Sequence, residues 1–233
     1  NVIQKAMLPY PDYDPLLFST IEQLKANGIN EVMLLASHKT GSFASSLIAH
    51  FPTMDFILLH EPAPTGSGSA LSKVSKLLVL QAFIIINGDT WMSPEYWKLF
   101  FYNIKKETEV TIWATMPGNA LFDGKGFFEV ELSLENPETH PKLLRFCKGE
   151  PSEKTPGLEK IVYGGIAYIT PMVFASMRKR GDFSNDMLSD SFFWEYWARM
   201  GTDKYQTLMP VPSTDIQDIG DLGVEYWIKK IFG

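Results

Sequence analysis

Cysteine is nearly absent from this chain, since Cys147 is the single thiol in 233 residues. One cysteine excludes an internal disulfide framework and is typical of a reducing compartment, so we expect a cytoplasmic protein. No apolar run approaches the roughly 20 residues that span a bilayer, which predicts no membrane partner. Basic residues are also few, with 21 Lys and Arg against 27 Asp and Glu and a formal net charge of -6. A nucleic-acid polymer is therefore not an expected partner.

The remaining composition is that of a globular protein, with 45% hydrophobic and 21% charged residues. Such a chain can bury enough apolar surface to fold, which argues against disorder. Its length suits one sizeable domain, and no repeat or linker divides it. We therefore predict a single domain over residues 1–233.

In the first half of the chain, apolar runs alternate with amphipathic segments. One helix is expected to end at Gly28, and another is expected to begin with Ser93 as N-cap and Pro94 in its first turn. The predicted helices are 15–27, 42–51, 70–78 and 93–106, and the predicted strands are 31–37, 55–60, 82–87 and 108–116. The strands at 31–37 and 82–87 are apolar enough to be buried. This alternation indicates βαβ units and a parallel sheet covered on both faces.

The second half has a different pattern. Residues 124–151 contain two extended runs around a turn rich in Pro, Asn and Glu, which predicts an antiparallel hairpin inserted into the domain. Further strands are predicted at 159–170 and 204–211, and further helices at 171–181, 186–200 and 218–232. The fold class is therefore α/β, with a mixed, mainly parallel sheet flanked by helices and an inserted antiparallel β portion.

The stretch FIIINGDTW, residues 83–91, places a carboxylate at the end of an apolar strand. In open parallel sheets, ligands bind outside the carboxyl ends of the strands, where Asp89 is expected to lie. A carboxylate beside an apolar strand needs water, a donor or a cation, because burying it unpaired costs several kcal/mol. Asp89 is thus either a ligand-binding residue or a cap of the following turn.

The stretch EPAPTGSGSAL, residues 61–71, is rich in Gly and Ser. Gly66 and Gly68 allow the backbone to approach a ligand closely, and the N–H groups of a following helix favour phosphates or base edges. The segment matches neither a P-loop nor a dinucleotide-binding fingerprint. A flexible surface turn is the other interpretation.

Three acids occur in STDIQDIGDLG, residues 213–223, namely Asp215, Asp218 and Asp221. Acids at this density suit a helix start, or one of them joins Asp89 on Mg²⁺, which prefers oxygen ligands. Lys148 is either an anion contact or an ordinary exposed lysine. The histidines lack metal-ligand spacing and Cys147 has no base beside it, so zinc and nucleophilic mechanisms are disfavoured.

Several segments, taken in order, resemble the sugar-1-phosphate nucleotidyltransferases, or NDP-sugar pyrophosphorylases. The resemblance is carried by KAMLP (5–9), PLLFSTIEQLKANGINEVML (15–34), EPAPTGSGSAL (61–71), INGDTW (86–91), RFCKGEP (145–151), YGGIAYIT (163–170) and DIGDLGVEYW (218–227). It spans nearly the whole chain. It implies a Rossmann-like fold and an enzyme that transfers a nucleoside monophosphate from an NTP to a sugar-1-phosphate, releasing pyrophosphate. Products of this kind are precursors for surface polysaccharides or cell walls.

The resemblance also implies roles for individual residues. Asp89 and Asp218 would hold Mg²⁺, while Lys5 would contact the triphosphate and Lys148 the sugar phosphate. The expected catalytic residues are Lys5, Asp89 and Lys148, the nucleotide-binding residues are Lys5, Glu61, Gly66 and Gly88, and the substrate-binding residues are Asn87, Gly126, Lys148 and Gly165. The expected partners are the NTP and the sugar-1-phosphate, and homo-oligomer formation is left open.

Four departures from the family pattern bear on activity and substrate. The first strand and its glycine-rich loop would precede Lys5, and we expect them upstream of residue 1. Glu61 stands where Gln is frequent and can only accept hydrogen bonds, which favours bases with N–H donors such as guanine. Tyr163 replaces a usual Asn, and Cys147 a usual Glu, so the acceptor can differ from the common sugars.

Three alternatives remain open from sequence. An inactive regulatory subunit would account for a missing glycine-rich loop. A cytidylyltransferase acting on a non-sugar phosphate would account for the altered acceptor residues. A nucleotide-sugar-dependent glycosyltransferase predicts a paired Asp-x-Asp, whereas NGDTW holds one acid.

Overall fold

The computed structural model describes residues 5–7, 9, 14–36, 40–60, 74, 77–78, 81–106, 111–117, 127–131, 142–147, 158–172, 206–218 and 229. The helices are α1 (Leu16–Ala26), α2 (Thr40–His50) and α3 (Pro94–Lys106), and a 3₁₀ turn covers Lys5–Met7. The strands are β1 (Glu31–Ala36), β2 (Asp55–His60), β3 (Phe83–Ile86), β4 (Thr90–Met92), β5 (Thr111–Pro117), β6 (Phe127–Glu131), β7 (Lys142–Cys147), β8 (Leu158–Ile169), β9 (Gln206–Pro210) and β10 (Ile216–Asp218).

The chain forms two compact units. The first unit contains residues 1–64, 87–98 and 217–233, and the second contains residues 65–86 and 99–216. The assignment of residues 1–233 to a single domain stays a prediction. Within the described ranges, no helix is both long and apolar enough to cross a membrane.

Helix α1 ends as its sequence predicts. Gly28 has a φ of 85°, its N–H donates to the Lys25 carbonyl at 3.0 Å, and the Ile29 N–H donates to the Leu24 carbonyl at 3.0 Å. This pair of bonds is a Schellman motif, which satisfies carbonyls at the helix end and needs a left-handed residue that glycine supplies without strain. The chain is thereby turned directly into β1.

The first unit is built on parallel pairing of β1 with β2, in register from Glu31 opposite Asp55 to Ala36 opposite His60. Helices α1 and α2 pack together through one apolar cluster. Its buried members are Phe18, Ile21, Leu47, Phe51 and Met54. Burial of such side chains stabilises a fold by about 1.5–3 kcal/mol each, so this cluster is a principal stabilising feature of the unit.

The second unit contains a mixed sheet with the strand order β7-β6-β8-β5-β9, and β3 pairs with β8. Strand β5 pairs parallel with β9, whereas β8 pairs antiparallel with β3, β5 and β6. The antiparallel pair β6–β7 confirms the hairpin predicted within residues 124–151. Strand β8 is long enough to join this inserted hairpin to the rest of the sheet.

The α/β fold class and the mixed sheet are confirmed, but the pairings described in the second unit are antiparallel except β5–β9, because β8 runs antiparallel to β3, β5 and β6. The prediction that the apolar strands β1 and β3 are buried is wrong in degree, because Val32–Leu35 and Phe83–Ile86 are only half-buried. The structure describes one neighbouring strand for each, β2 and β8, which leaves part of each strand accessible. The helices predicted over 186–200 and most of 218–232 lie outside the described residues.

Candidate metal and nucleotide site

The turn after β3 carries three of the predicted site residues, Asn87, Gly88 and Asp89. Strand β3 stays paired with β8 up to Ile86, opposite Ile166, and the chain then turns. The Thr90 N–H donates to the Asn87 carbonyl at 3.1 Å, which closes the turn over Gly88 and Asp89. Gly88 is exposed and Asp89 is half-buried, so the carboxylate can meet a ligand from solvent.

The segment at Lys5 lies beside this turn. A Cβ atom placed on Gly88 would be 3.6 Å from the Cβ of Ala6, which is an ordinary packing distance. A side chain would therefore fit at position 88, and lack of space does not explain the glycine there. The 3₁₀ turn Lys5–Met7 and the Asn87–Asp89 turn, which are more than 80 residues apart in sequence, are neighbours in the first unit.

Asp89 and Asp218 are brought to one small sheet by the pairing of β4 with β10. Asp89 immediately precedes β4, and Asp218 is the last residue of β10. Neighbouring strands lie about 4.8 Å apart, so residues at or next to the ends of two such short paired strands are close in space. The pairing thus brings Asp89 and Asp218, which are far apart in sequence, to the same region of the first unit.

The interpretation of residues 213–223 as a helix start is wrong for the part that is described. Residues 213–215 form a turn in which the Asp215 N–H donates to the Pro212 carbonyl at 2.9 Å. The chain continues as strand β10, because the buried Ile216 enters the apolar interior and β4 supplies a backbone partner. Asp218 is therefore the last residue of a strand and not part of a helical turn.

This pair of positions fits Mg²⁺ by the chemistry of its donors. Mg²⁺ is commonly held by one or two carboxylates together with substrate phosphates and water. Among the described residues, no group of three or more His, Cys, Asp or Glu forms a complete cage. A site with two carboxylates is consistent with both facts, because the remaining ligands would come from the triphosphate and from water.

In the second unit, Gly165 lies at an irregularity in β8. Pairing with β5 passes from Trp113 opposite Ala167 to Thr115 opposite Tyr163, so β8 has extra residues at this point. Gly165 has a φ of 82°, a conformation that glycine adopts without strain. The Gly-Gly pair of the sequence therefore marks a β-bulge, and bulges re-aim the neighbouring residues of a strand.

Tyr163 precedes this bulge. Burial raises the pKa of its phenol far above the usual range, although part of the side chain is accessible to solvent. The hydroxyl group therefore stays neutral at all physiological pH values and retains its capacity to donate and accept a hydrogen bond. A neutral phenol replaces the amide that the family resemblance leads one to expect.

Other predicted site residues are described incompletely or not at all. Glu61, Gly66, Gly126 and Lys148 lie outside the described residues, and only the backbone is described for Lys5 and Asp218. Ser93 precedes α3 as predicted, and its carbonyl accepts the Trp97 N–H at 3.0 Å. Within the part of the chain that the structure describes, its buried hydroxyl has no hydrogen-bond partner, so the expected side-chain cap is not formed.

Comparison with known proteins identifies the fold. UDP-glucose pyrophosphorylase in its apo form superposes with a TM-score of 0.70 at 17% identity, covering 98% of this chain and 89% of that chain. The inositol-1-phosphate CTP transferase from T. maritima gives 0.63 at 14% identity over 98% of this chain and 87% of that chain. HddC from Yersinia pseudotuberculosis gives 0.61 at 17% identity over 99% and 89%. No family model matches the chain, and no curated protein matches it in sequence.

These neighbours share one fold over almost the whole chain. The chain therefore has the fold of the sugar-1-phosphate nucleotidyltransferases, and the resemblance predicted from its sequence segments is confirmed at the level of fold.

Proposed function

We propose that this protein is a nucleotidyltransferase that transfers a nucleoside monophosphate from an NTP to a sugar-1-phosphate, yielding an NDP-sugar and pyrophosphate. The observation that carries the proposal is the pairing of β4 with β10, because Asp89 immediately precedes β4 and Asp218 is the last residue of β10. A fold shared with UDP-glucose pyrophosphorylase supports it. We also infer that the protein acts in the cytoplasm, in keeping with its single cysteine.

The reaction needs positioning more than covalent chemistry. An oxygen of the acceptor phosphate attacks the α-phosphorus of the NTP in line, and the bond from that phosphorus to the bridging oxygen of the β-phosphate breaks. Pyrophosphate leaves with the electron pair. Because both reactants are polyanions, the protein must hold them together against their repulsion.

The proposed roles divide between two ends of the reaction. Lys5 contacts the triphosphate. The next residue in the chain, Ala6, lies beside the turn that contains Asp89. Lys148 contacts the acceptor phosphate. Asp89 and Asp218 hold Mg²⁺, which when bound neutralises phosphate charge and helps align the reacting groups.

Two further groups of residues are proposed to contact the nucleobase and the acceptor. Glu61, Gly66 and Gly88 are assigned to the nucleotide, and Asn87, Gly126 and Gly165 to the acceptor. An ionised Glu61 would accept hydrogen bonds from a base that presents N–H donors, and guanine presents two side by side. GTP is therefore the first triphosphate to test.

The neutral phenol of Tyr163 leaves open which phosphorylated acceptor is used. A hydroxyl can hydrogen-bond to a sugar, and its ring can pack against an acceptor that is not a sugar. Acceptors for the assay should therefore include inositol-1-phosphate and phosphocholine as well as hexose-1-phosphates.

The test is pyrophosphate release by the full-length protein with Mg²⁺, over four NTPs and this acceptor panel. We expect pyrophosphate release with one of the NTPs, and only when one particular acceptor is present. Release from an NTP without any acceptor would contradict transfer and indicate hydrolysis. If no combination of NTP and acceptor releases pyrophosphate, and calorimetry detects no NTP binding, the proposal is contradicted and an inactive regulatory subunit is favoured.

A further inference from the structure

Gly164, the first glycine of the pair in β8, lies in the interior of the second unit and is buried. It falls within the bulge, where the pairing of β5 with β8 skips from residue 113 opposite 167 to residue 115 opposite 163. Unlike Gly165, it does not have a positive φ. Its requirement for glycine must therefore come from the space around it.

That space is filled by Ile216, the first residue of β10. A Cβ atom built on Gly164 would lie 2.5 Å from the Cδ1 atom of Ile216 and 3.1 Å from the carbonyl oxygen of Ala114. Carbon atoms make contact at about 3.5–4.0 Å, so a methyl group here would overlap the isoleucine side chain. Ala114 offers no relief because the atom approached belongs to the backbone of the sheet.

Ile216 can relieve this overlap only by turning its Cδ1 atom towards other buried side chains or by shifting its backbone. It is fully buried, and its N–H donates to the Pro212 carbonyl at 3.2 Å. Interiors are close-packed, so a displaced side chain forces shifts in its surroundings rather than entering an empty volume. A backbone shift of Ile216 would displace the strand to which it belongs, and β10 is only three residues long.

Asp218 is two residues beyond Ile216 on the same strand. We propose that Gly164 is a positioning residue. Because it lacks a side chain, it leaves room for the side chain of Ile216. This contact fixes β10 and therefore the position of Asp218. The inference rests on the proposed function, because it assumes that Asp218 is a metal ligand. Functional groups need placement within about 0.5 Å, so a small shift of β10 has a large effect on metal use.

The experiment compares Gly164→Ala with the double variant Gly164→Ala/Ile216→Val, because valine lacks the Cδ1 atom that a new methyl group would strike. Ile169→Val is the control. It removes the same kind of atom from a buried position in β8 that the structure pairs with β3. Two readouts are used, namely the Mg²⁺ concentration for half-maximal turnover and amide hydrogen exchange of the peptide covering β10.

We expect Gly164→Ala to raise the half-maximal Mg²⁺ concentration at least tenfold and to speed exchange of the β10 amides. The double variant should recover most of both effects, and Ile169→Val should retain wild-type values. A Gly164→Ala protein with wild-type Mg²⁺ dependence would overturn the proposal. So would a defect that Ile216→Val does not relieve.

The two readouts separate this inference from the proposed function. If the wild-type protein shows no Mg²⁺-dependent transfer, the proposed function fails, and exchange at β10 still tests the seating of Ile216. If transfer is present but β10 exchanges equally in Gly164→Ala and wild type, the positioning role fails alone.

Discussion

At the scale of single residues, the proposed site depends on where a few residues lie relative to strand ends. Asp89 occupies a turn that Thr90 closes by donating to the Asn87 carbonyl. It is a turn residue by conformation and a candidate ligand by position. The interpretation of Asp218 changed more, because the sequence suggested a helix start at this position and the structure shows the end of a strand.

Tyr163 permits a prediction about pH. Burial raises the pKa of its phenol in the folded state above the value of about 10 for an unperturbed tyrosine. The folded state therefore binds this proton more tightly, so the stabilisation is complete below pH 10 and is lost as pH rises further. We expect the melting temperature to fall between pH 9.5 and about 11, and this fall to be smaller in Tyr163→Phe.

The measurement is the slope of melting temperature against pH for wild type and variant. Tyr102→Phe removes the same atom from an exposed ring and is the control for the substitution itself. Because the pKa of Tyr168 is also raised by burial, some slope should remain in Tyr163→Phe. Equal slopes in wild type and Tyr163→Phe would show that Tyr163 does not titrate differently in the folded state.

At the scale of elements, the end of α1 is the clearest case in which sequence determines local structure. Gly28 adopts a φ of 85°, and a Cβ atom added there would meet nothing within 4 Å. Gly28→Ala should therefore reduce the free energy of unfolding through backbone strain alone, by about 1 kcal/mol. Gly28→Asn should cost less, because asparagine tolerates the left-handed region better than alanine.

Urea denaturation of the three proteins checks this prediction. An alanine variant as stable as wild type would mean that the α1–β1 connection does not need the Schellman geometry. A larger loss for asparagine than for alanine would point to a side-chain clash and contradict the backbone explanation.

The elements also show what sequence could and could not predict. Periodicity and capping signals found α1, α3, β2 and the β6–β7 hairpin, because these depend on local pattern and on an adjacent partner. Strands β4 and β10 were missed. Each has three residues, too few for an alternating pattern, and each is defined by pairing with a segment remote in sequence.

The site could be predicted from the sequence only where it depends on a local pattern. A carboxylate at the end of an apolar strand pointed to Asp89, whereas the link between Asp89 and Asp218 required the β4–β10 pairing. The role of Gly164 gave no sequence signal of its own, because the need for glycine comes from the side chain of Ile216, a non-local neighbour. Packing of this kind is specified by the folded structure rather than by a short motif.

At the scale of the whole molecule, fold and function rest on different evidence. Fold similarity covers 98% of the chain at 17% identity in the comparison with apo UDP-glucose pyrophosphorylase. A shared fold at this identity defines the architecture, and function must be argued from the site. The proposal therefore depends on Asp89, which immediately precedes β4, and on Asp218, which ends β10, and these are the carboxylates to remove.

The most direct measurement is Mg²⁺-dependent pyrophosphate release by wild type, Asp89→Asn and Asp218→Asn in one assay, with folding checked by thermal melting. Asparagine keeps the shape of aspartate and removes its charge. We expect the wild type to turn over with its acceptor and each variant to lose at least 100-fold in turnover, about 2.7 kcal/mol in transition-state stabilisation, with most of the fold stability kept. Full Mg²⁺-dependent turnover in either folded variant would remove that residue from the metal site and contradict the central claim.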